Sequence, residues 1–177
     1  MFFIKEFKAK KVKAPNNYEN RKRILSSKNK NLIYLLEKRF SWMKKYLHKK
    51  KIIVELGSGN GCIKKIINNK KIILTDIIKY PWIDKKVDMR KVNLGKKYYK
   101  KVDIFIINHS LHHCSSPYLT LRHMGNYLKK NGYILVNEPE TSFFLKLFQV
   151  ILDDEGWSLR SKVFSRRNIF NPKSPWI

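Results

Sequence analysis

Residues 51–61 constrain the fold of this chain more than any other segment. Apolar residues lead into Glu55, and glycines then follow at alternate positions, Gly57, Gly59 and Gly61. Glycine permits positive φ and leaves no Cβ in the way of a ligand. The pattern predicts a buried parallel strand that ends in a tight turn, and a nucleoside or nucleotide is the usual ligand at such a strand end.

The spacing of the glycines distinguishes between nucleotide sites. A dinucleotide-binding fingerprint has the pattern G-x-G-x-x-G at the start of a helix, whereas here Gly61 comes two residues after Gly59. A nicotinamide enzyme is therefore disfavoured. A plain strand-to-helix turn stays open as the alternative for the glycines taken alone.

Four further strand-like runs follow, and the first ends in an acid. Residues 72–76 are apolar up to Thr75 and Asp76, and Asp76 lies fifteen residues past Gly61. An ionised carboxylate only accepts hydrogen bonds and has two oxygens, so Asp76 can accept from both hydroxyls of a ribose. The other runs are residues 86–89, 102–109 and 131–139.

Helices are predicted before and between the strands. Apolar residues at helical spacing predict an amphipathic helix over residues 29–47, and shorter helices are expected over 61–69 and 117–129. Residues 77–87 leave too little room for a helix and predict a loop. An apolar helix is predicted over 142–152, where it could cover the site as a lid or rest on a membrane surface.

These elements resemble the class I S-adenosylmethionine-dependent methyltransferases in their order and in their motifs. E-L-G-S-G-N-G at 55–61 is similar to the E/D-x-G-x-G-x-G loop of that family. L-H-H at 111–113 and N-G-Y-I-L-V-N-E-P at 131–139 resemble its type-11 branch. The resemblance covers about residues 51–140 and implies an α/β fold, a Rossmann-like doubly wound sheet of parallel strands.

The resemblance implies S-adenosylmethionine as the cofactor and a set of residues that bind it. Glu55 is expected at the methionyl end, the glycines at close backbone contacts, and Asp76 on the ribose. Residues 88–89 are expected to border the adenine, and residues 108–109 to lie beside the sulfonium. The ten expected cofactor residues are Glu55, Gly57, Ser58, Gly59, Asp76, Ile77, Asp88, Met89, Asn108 and His109.

A catalytic residue is harder to predict, because methyl transfer from a sulfonium mainly requires alignment of the reactants. A general base is needed only for a poor nucleophile such as a hydroxyl. His109 is the first candidate, since it follows the fourth strand directly. The further candidates are His112, His113 and Glu138.

No metal site is predicted from the histidines or the cysteines. His112 and His113 are adjacent, and neighbours on a helix point about 100° apart. Cys62 and Cys114 are isolated and show no metal-ligand spacing. Two isolated cysteines instead fit small buried side chains and a reducing, cytoplasmic location.

The methyl acceptor is only partly constrained. Enzymes that methylate amino groups of nucleic-acid bases carry an Asn/Asp-Pro-Pro-aromatic motif after the fourth strand, whereas residues 108–111 here are N-H-S-L. The resemblance suggests a small-molecule, lipid or glycan-type acceptor. An RNA-directed methyltransferase and an inactive remnant that only binds the cofactor are the alternatives.

The net charge of +26 is a weak argument for RNA or another anionic partner. The excess is mostly lysine, which is spread along the chain, and lysine, isoleucine and asparagine all have A/T-rich codons. A biased genome would explain much of it. A basic surface still raises affinity for phosphates and anionic lipid heads.

The sequence predicts one domain with three parts. Residues 1–28 are expected to form a basic arm, loosely ordered up to about residue 20, and 29–140 the S-adenosylmethionine-binding core. Residues 141–177 are expected to hold a helical segment and an incomplete C-terminal part. No apolar stretch reaches the roughly 18 residues of a membrane span, and residues 1–13 do not form a convincing signal peptide.

The end of the chain predicts a sheet without the last two strands of the family. Residues 158–177 contain no two strand-like runs joined by a turn, and a truncated gene is the favoured explanation. Activity of such a chain is in doubt. The fifth strand would then lie at an edge of the sheet, where it could pair with another subunit; the oligomeric state is not predicted.

Overall fold

A parallel sheet of five strands forms the centre of the computed structural model, which describes residues 6–7, 16–26, 28–47, 52–114, 116–139, 142–152 and 157–158. The strands are β1 (Glu6–Phe7), β2 (Ile53–Leu56), β3 (Ile72–Asp76), β4 (Lys85–Lys86), β5 (Val102–Asn108), β6 (Leu128–Asn137) and β7 (Trp157–Ser158). The helices are α1 (Asn17–Leu25), α2 (Lys30–Ser41), α3 (Lys44–Leu47), α4 (Ile63–Ile66), α5 (Pro117–Gly125) and α6 (Phe143–Leu152).

The central sheet has the order β4-β3-β2-β5-β6, and all of its neighbouring strands are parallel. The strand order reverses at β2, so the loops after β2 and β5 diverge at the carboxyl end of the sheet. Ligands bind at this position in open α/β sheets. The Rossmann-like parallel sheet predicted from the sequence is confirmed.

Alternate residues of the strands fill a hydrophobic core on each face of the sheet. Ile53 and Ile104 pack on the face that is covered by residues of α1, α2 and α4. Val54 and Phe105 pack on the opposite face, together with Met124 of α5. Parallel strands that are covered on both faces are apolar without alternation, which explains the continuous apolar runs in the sequence.

Several elements differ in extent from the sequence predictions. The helix expected over 29–47 is interrupted between α2 and α3, and the helix expected over 61–69 is the single turn α4. The loop expected over 77–87 is present up to Asp84, and the strand expected over 86–89 is the two-residue β4, which ends at Lys86. β6 begins at Leu128, before its predicted start. Its pairing with β5 continues on both sides of Asn131, which has a φ of +65°, and the register between the two strands shifts there.

Two elements lie in the outer parts of the chain. α1 lies inside the segment expected to form an arm, and it is capped by Asn16, whose side chain accepts a hydrogen bond from the Glu19 amide. β1 pairs antiparallel with β7. The expected lack of two further strands concerns residues 159–177, which lie outside the described residues. None of the described helices has the length and apolarity that a membrane span requires.

Candidate functional site

A cavity of about 750 Å³ lies at the carboxyl ends of β2, β3 and β5. All ten residues that the sequence predicts to bind a cofactor line this cavity. Three of them lie at the carboxyl ends of β2, β3 and β5, and the other seven lie in the segments that follow these strands or β4. The ten residues are Glu55, Gly57, Ser58, Gly59, Asp76, Ile77, Asp88, Met89, Asn108 and His109.

The glycine loop after β2 has a backbone that few other residues could adopt. Gly57, Gly59 and Gly61 have φ of +68°, +48° and +64°. A Cβ on Gly57 would lie 2.6 Å from the Cβ of Ser110, and one on Gly61 would lie 2.5 Å from Trp82 Cδ1. Glycine is therefore required at both positions by conformation and by space.

Asp76 fixes this loop. One of its oxygens accepts a hydrogen bond from the Gly59 amide at 2.8 Å, and the other accepts from the Ile78 amide at 3.0 Å. The Ser58 amide also donates to the Thr75 carbonyl at 2.9 Å. Because each carboxylate oxygen has two lone pairs, Asp76 keeps acceptor capacity for a ligand.

Glu55 is a buried acid at the floor of the cavity. One of its oxygens accepts a hydrogen bond from Asn108 Nδ2 at 2.9 Å. Burial raises the pKa of Glu55 to about 7, and the hydrogen bond from Asn108 only partly opposes this. Two buried acceptor atoms, Glu55 Oε2 and Asn108 Oδ1, have no hydrogen-bond partner among the described residues.

Asp88 pairs with Arg90, a cavity residue that the sequence analysis did not single out. The Arg90 guanidinium donates to both oxygens of Asp88 through Nε, at 3.0 Å each, and through Nη2 at 2.7 Å. The hydrogen bonds from Arg90 hold the pKa of Asp88 below its usual range. This edge of the cavity therefore presents an ion pair instead of a lone carboxylate.

His109 occupies a left-handed backbone conformation at the end of β5. Its φ is +47°, and its amide donates to the Asn137 carbonyl at 2.8 Å. Non-glycine residues in this region are uncommon and concentrate at functional sites. The sheet thus holds the His109 backbone in place where the residue lines the cavity.

Glu138 organises the loop after β5, which contains the other candidate bases. One oxygen accepts hydrogen bonds from the amides of Ser110 and Leu111, at 3.0 and 2.8 Å, and the other contacts His112 Nδ1. Burial acts to raise the pKa of Glu138, but these hydrogen bonds outweigh it and hold the pKa low. His113 lines the cavity, whereas Glu138 and His112 bind each other.

Sequence reasoning missed the contribution of α1. Arg21 donates to the Asn60 carbonyl at 2.8 Å, and its guanidinium lies 4.7 Å from the centre of the Trp82 ring. Trp82 in turn donates to the Gly59 carbonyl at 2.9 Å and stacks on Tyr80. The pattern Asn16-x-x-Glu19, which resembles a capping box, could have indicated the start of this helix.

The cysteines are both buried, and within the described part of the chain no three His, Cys, Asp or Glu side chains are grouped as metal ligands. Cys114 Sγ lies 2.9 Å from Thr120 Oγ1, and Cys62 has a pKa that burial raises. A raised pKa keeps a thiol protonated and unreactive.

Comparisons with known proteins point to one class of enzyme. A family model described as a methyltransferase domain matches residues 28–173. The fold resembles that of an S-adenosylmethionine-dependent methyltransferase from Archaeoglobus fulgidus, with a TM-score of 0.57 and 18% identity, over 72% of this chain and 63% of that one. A search of curated proteins finds no match.

Two further matches give the scale of the relationship. A Methanococcus maripaludis protein described as an S-adenosyl-L-methionine-dependent methyltransferase has a TM-score of 0.50 and 12% identity, over 80% of this chain and 73% of that one. The carbon methyltransferase CurJ has 22% identity and a TM-score of 0.44, over 56% of this chain and 32% of that one. The chain spans between 28% and 40% of the length of CurJ and two other matched proteins.

Proposed function

This chain belongs to the class I S-adenosylmethionine-dependent methyltransferases, and from that premise we propose that it transfers the cofactor's methyl group to a small-molecule, lipid or glycan-type acceptor. The observation that supports this most is the cavity itself. All ten residues expected to bind the cofactor line it, although they come from four separate segments of the chain.

The polar groups of the cavity fit S-adenosylmethionine. Glu55 Oε2 and Asn108 Oδ1 are buried acceptors that no described residue satisfies, and such groups are costly unless a ligand donates to them. The ammonium of the methionyl group is a donor of this kind. We assign Glu55 and Asn108 to the methionyl end on this basis.

The remaining cofactor contacts follow from the order of the strands. Asp76 keeps acceptor capacity for the ribose hydroxyls, and Gly57 and Gly59 allow the backbone to approach the ligand. We assign residues 88–89 to the adenine, with Arg90 holding the carboxylate of Asp88. We assign His109 to the neighbourhood of the sulfonium. We also propose 29–140 as the core of the cofactor site, extended by α1.

S-adenosylmethionine supplies an activated methyl group on a sulfonium, so the protein's own task is alignment. The sheet fixes the strand ends, and Asp76 fixes the glycine loop. Where the acceptor is a hydroxyl, we propose His109 as the base that removes its proton. A His109→Ala enzyme that keeps full turnover on its true acceptor would contradict this role.

The acceptor class is supported by two features. The N-H-S-L sequence at 108–111 lacks the motif of enzymes that act on nucleic-acid bases. One wall of the cavity is apolar and is formed by Leu36, Phe40 and Ile63 together with Ile24 and Ile66. An acceptor with an apolar part would fit such a wall.

Calorimetric titration of the purified chain with S-adenosylmethionine and S-adenosylhomocysteine tests the cofactor site. We expect micromolar binding that Asp76→Ala removes. Asp84→Ala is the matched control. Asp84 also accepts a hydrogen bond from a backbone amide, that of Leu74 on β3, and it does not line the cavity. Absence of binding by the folded wild-type chain would contradict the assignment of the cavity.

A second measurement separates an enzyme from a binding remnant. The chain is incubated with S-adenosylmethionine and candidate acceptors from the three classes, and release of S-adenosylhomocysteine is followed. Release that depends on an acceptor supports the proposed function. Tight binding without release on any acceptor would support the remnant.

A further inference from the structure

The helix α6 carries its apolar side chains on the outside. Five large residues are 46 to 69% exposed and recur at the spacing i, i+3, i+4, i+7 and i+8. This spacing places them on one stripe of a helix, which in most proteins faces the core. The α6 stripe consists of Phe144, Leu147, Phe148, Ile151 and Leu152.

The opposite side of α6 is less exposed. Lys146 and Val150 lie away from the stripe and are half-buried. The exposed apolar surface of α6 is therefore concentrated on the α6 stripe. Contiguous exposed apolar patches of this kind mark interaction sites.

The charge of the chain indicates what kind of partner fits the stripe. Lysine and arginine number 39 against 13 acids. Among the described acids, Glu55, Asp76 and Asp103 are buried. Asp84, Asp88 and Glu138 contact cationic side chains or His112. Glu19 and Glu37 are exposed, but they offset only a small part of the lysines, so that the described surface complements an anionic partner.

We propose that α6 docks this protein on an anionic lipid bilayer, with the α6 stripe inserted among the headgroups and the basic surface attracted to them. An interfacial helix combines an apolar stripe with cations that are attracted to anionic headgroups. α6 itself contributes Lys146, and the rest of the positive charge comes from other parts of the chain. At ten residues α6 is too short to span a bilayer. The acids at 153–155, which follow α6 in the sequence, oppose the attraction locally, so docking needs both the stripe and the overall charge.

The test is sedimentation of the purified chain with vesicles of phosphatidylcholine, with and without phosphatidylserine. We expect strong binding to the anionic vesicles, weaker binding to the neutral ones, and loss of the difference at high salt. The double variant Phe148→Ser/Ile151→Ser should lower the partition coefficient by about tenfold or more. The matched control is Tyr34→Ser/Leu35→Ser, which removes two exposed apolar residues from α2 and should bind as the wild type does.

Circular dichroism establishes that each variant folds. Hydrogen exchange of the wild type provides a measurement that needs no variant, because docking should protect residues 143–152 when anionic vesicles are added. No binding by the folded wild type, an equal loss in the α2 control, or no protection of α6 would each overturn the proposal.

A second copy of the chain is the competing occupant of the stripe. Light scattering measures this alternative. A dimer that Phe148→Ser/Ile151→Ser converts to a monomer, with no loss of vesicle binding, would assign the stripe to self-association and overturn docking. None of these measurements requires the cofactor. A failure to bind S-adenosylmethionine would therefore contradict the proposed function and leave the docking result intact.

Discussion

At the scale of single residues, the candidate site combines a buried acid with a glycine loop. Burial raises the pKa of Glu55 to about 7, and Gly57 has a positive φ at a position where a Cβ would meet Ser110. Both lie within three residues of each other at the end of β2. The site therefore depends on features that substitutions of one or a few atoms would disturb.

Replacement of Gly57 by alanine should cost about 2–4 kcal/mol of stability, because left-handed strain and crowding against Ser110 add together. We expect cofactor binding to be lost as well. Urea unfolding and calorimetry measure the two effects. Gly125→Ala is the control, since a Cβ there meets nothing within 4 Å, and it should leave stability unchanged or raise it by up to about 1 kcal/mol.

Glu55 should make the unliganded protein less stable as pH rises. A pKa raised in the folded state means that the folded protein binds the proton more tightly than the unfolded chain does. The stabilisation is complete below pH 4.5 and is lost between pH 4.5 and 7, with an amplitude of about 3 kcal/mol.

Glu55→Gln removes the ionisable carboxyl group and with it this pH dependence. The difference in free energy of unfolding between variant and wild type should shift in favour of the variant by about 3 kcal/mol from pH 4.5 to pH 8. Urea titrations across this range provide the measurement, with Glu37→Gln on the exposed face of α2 as the control. A constant difference across the range would show that Glu55 does not titrate there.

At the scale of elements, the strands were predictable and the helices less so. Buried parallel strands are continuous apolar runs, and residues 72–76 and 102–108 show this pattern in the sequence itself. α1 is polar, with Ile24 as its one buried residue, so apolar periodicity did not reveal it. Its role comes from contacts of Arg21 with residues distant in sequence, which no local pattern encodes.

In the candidate site, the residues at strand ends were predictable and the contacts between distant segments were not. The ten cofactor residues could be chosen because glycines and acids at strand ends are local patterns, and the structure gathers them around one cavity. Their individual roles stay predictions. Arg90 was missed because its pairing with Asp88 depends on the turn at 89–91. The hydrogen bond from Trp82 to the Gly59 carbonyl joins two loops, which no local pattern encodes.

Loosening α1 from the glycine loop should weaken cofactor binding. Arg21→Ala removes the hydrogen bond to the Asn60 carbonyl and the contact with Trp82. We expect the dissociation constant for S-adenosylhomocysteine to rise by about fivefold to tenfold, which corresponds to about 1 kcal/mol. Arg23→Ala, an exposed position on the same helix, should leave it unchanged. Equal affinities for both variants would show that α1 does not support the loop.

At the scale of the whole molecule, like charges oppose the compact state. The net charge of +26 is carried by 177 residues, and most of the described acids are buried or paired. Folding brings the remaining cations closer together than they are in the unfolded chain. Self-repulsion of this kind destabilises a compact protein and is screened by salt.

The melting temperature should therefore rise as sodium chloride is increased from low to physiological concentration. Thermal unfolding followed by circular dichroism measures this rise. Potassium chloride should give the same rise, because screening depends on ionic strength and not on which of these cations is present. A melting temperature that falls with salt would show that attractive ion pairs outweigh the repulsion.

The position of β2 at the centre of the sheet also affects how the chain folds during synthesis. β2 leaves the ribosome first of the five strands, but its neighbour β5 follows much later, since Ile53 lies opposite Ile104. Until Asn108 has emerged, one side of the central strand has no partner from the sheet. Contacts between distant parts of a chain form slowly and leave apolar surface exposed meanwhile. Nascent chains of intermediate length should therefore be clients of ribosome-associated chaperones.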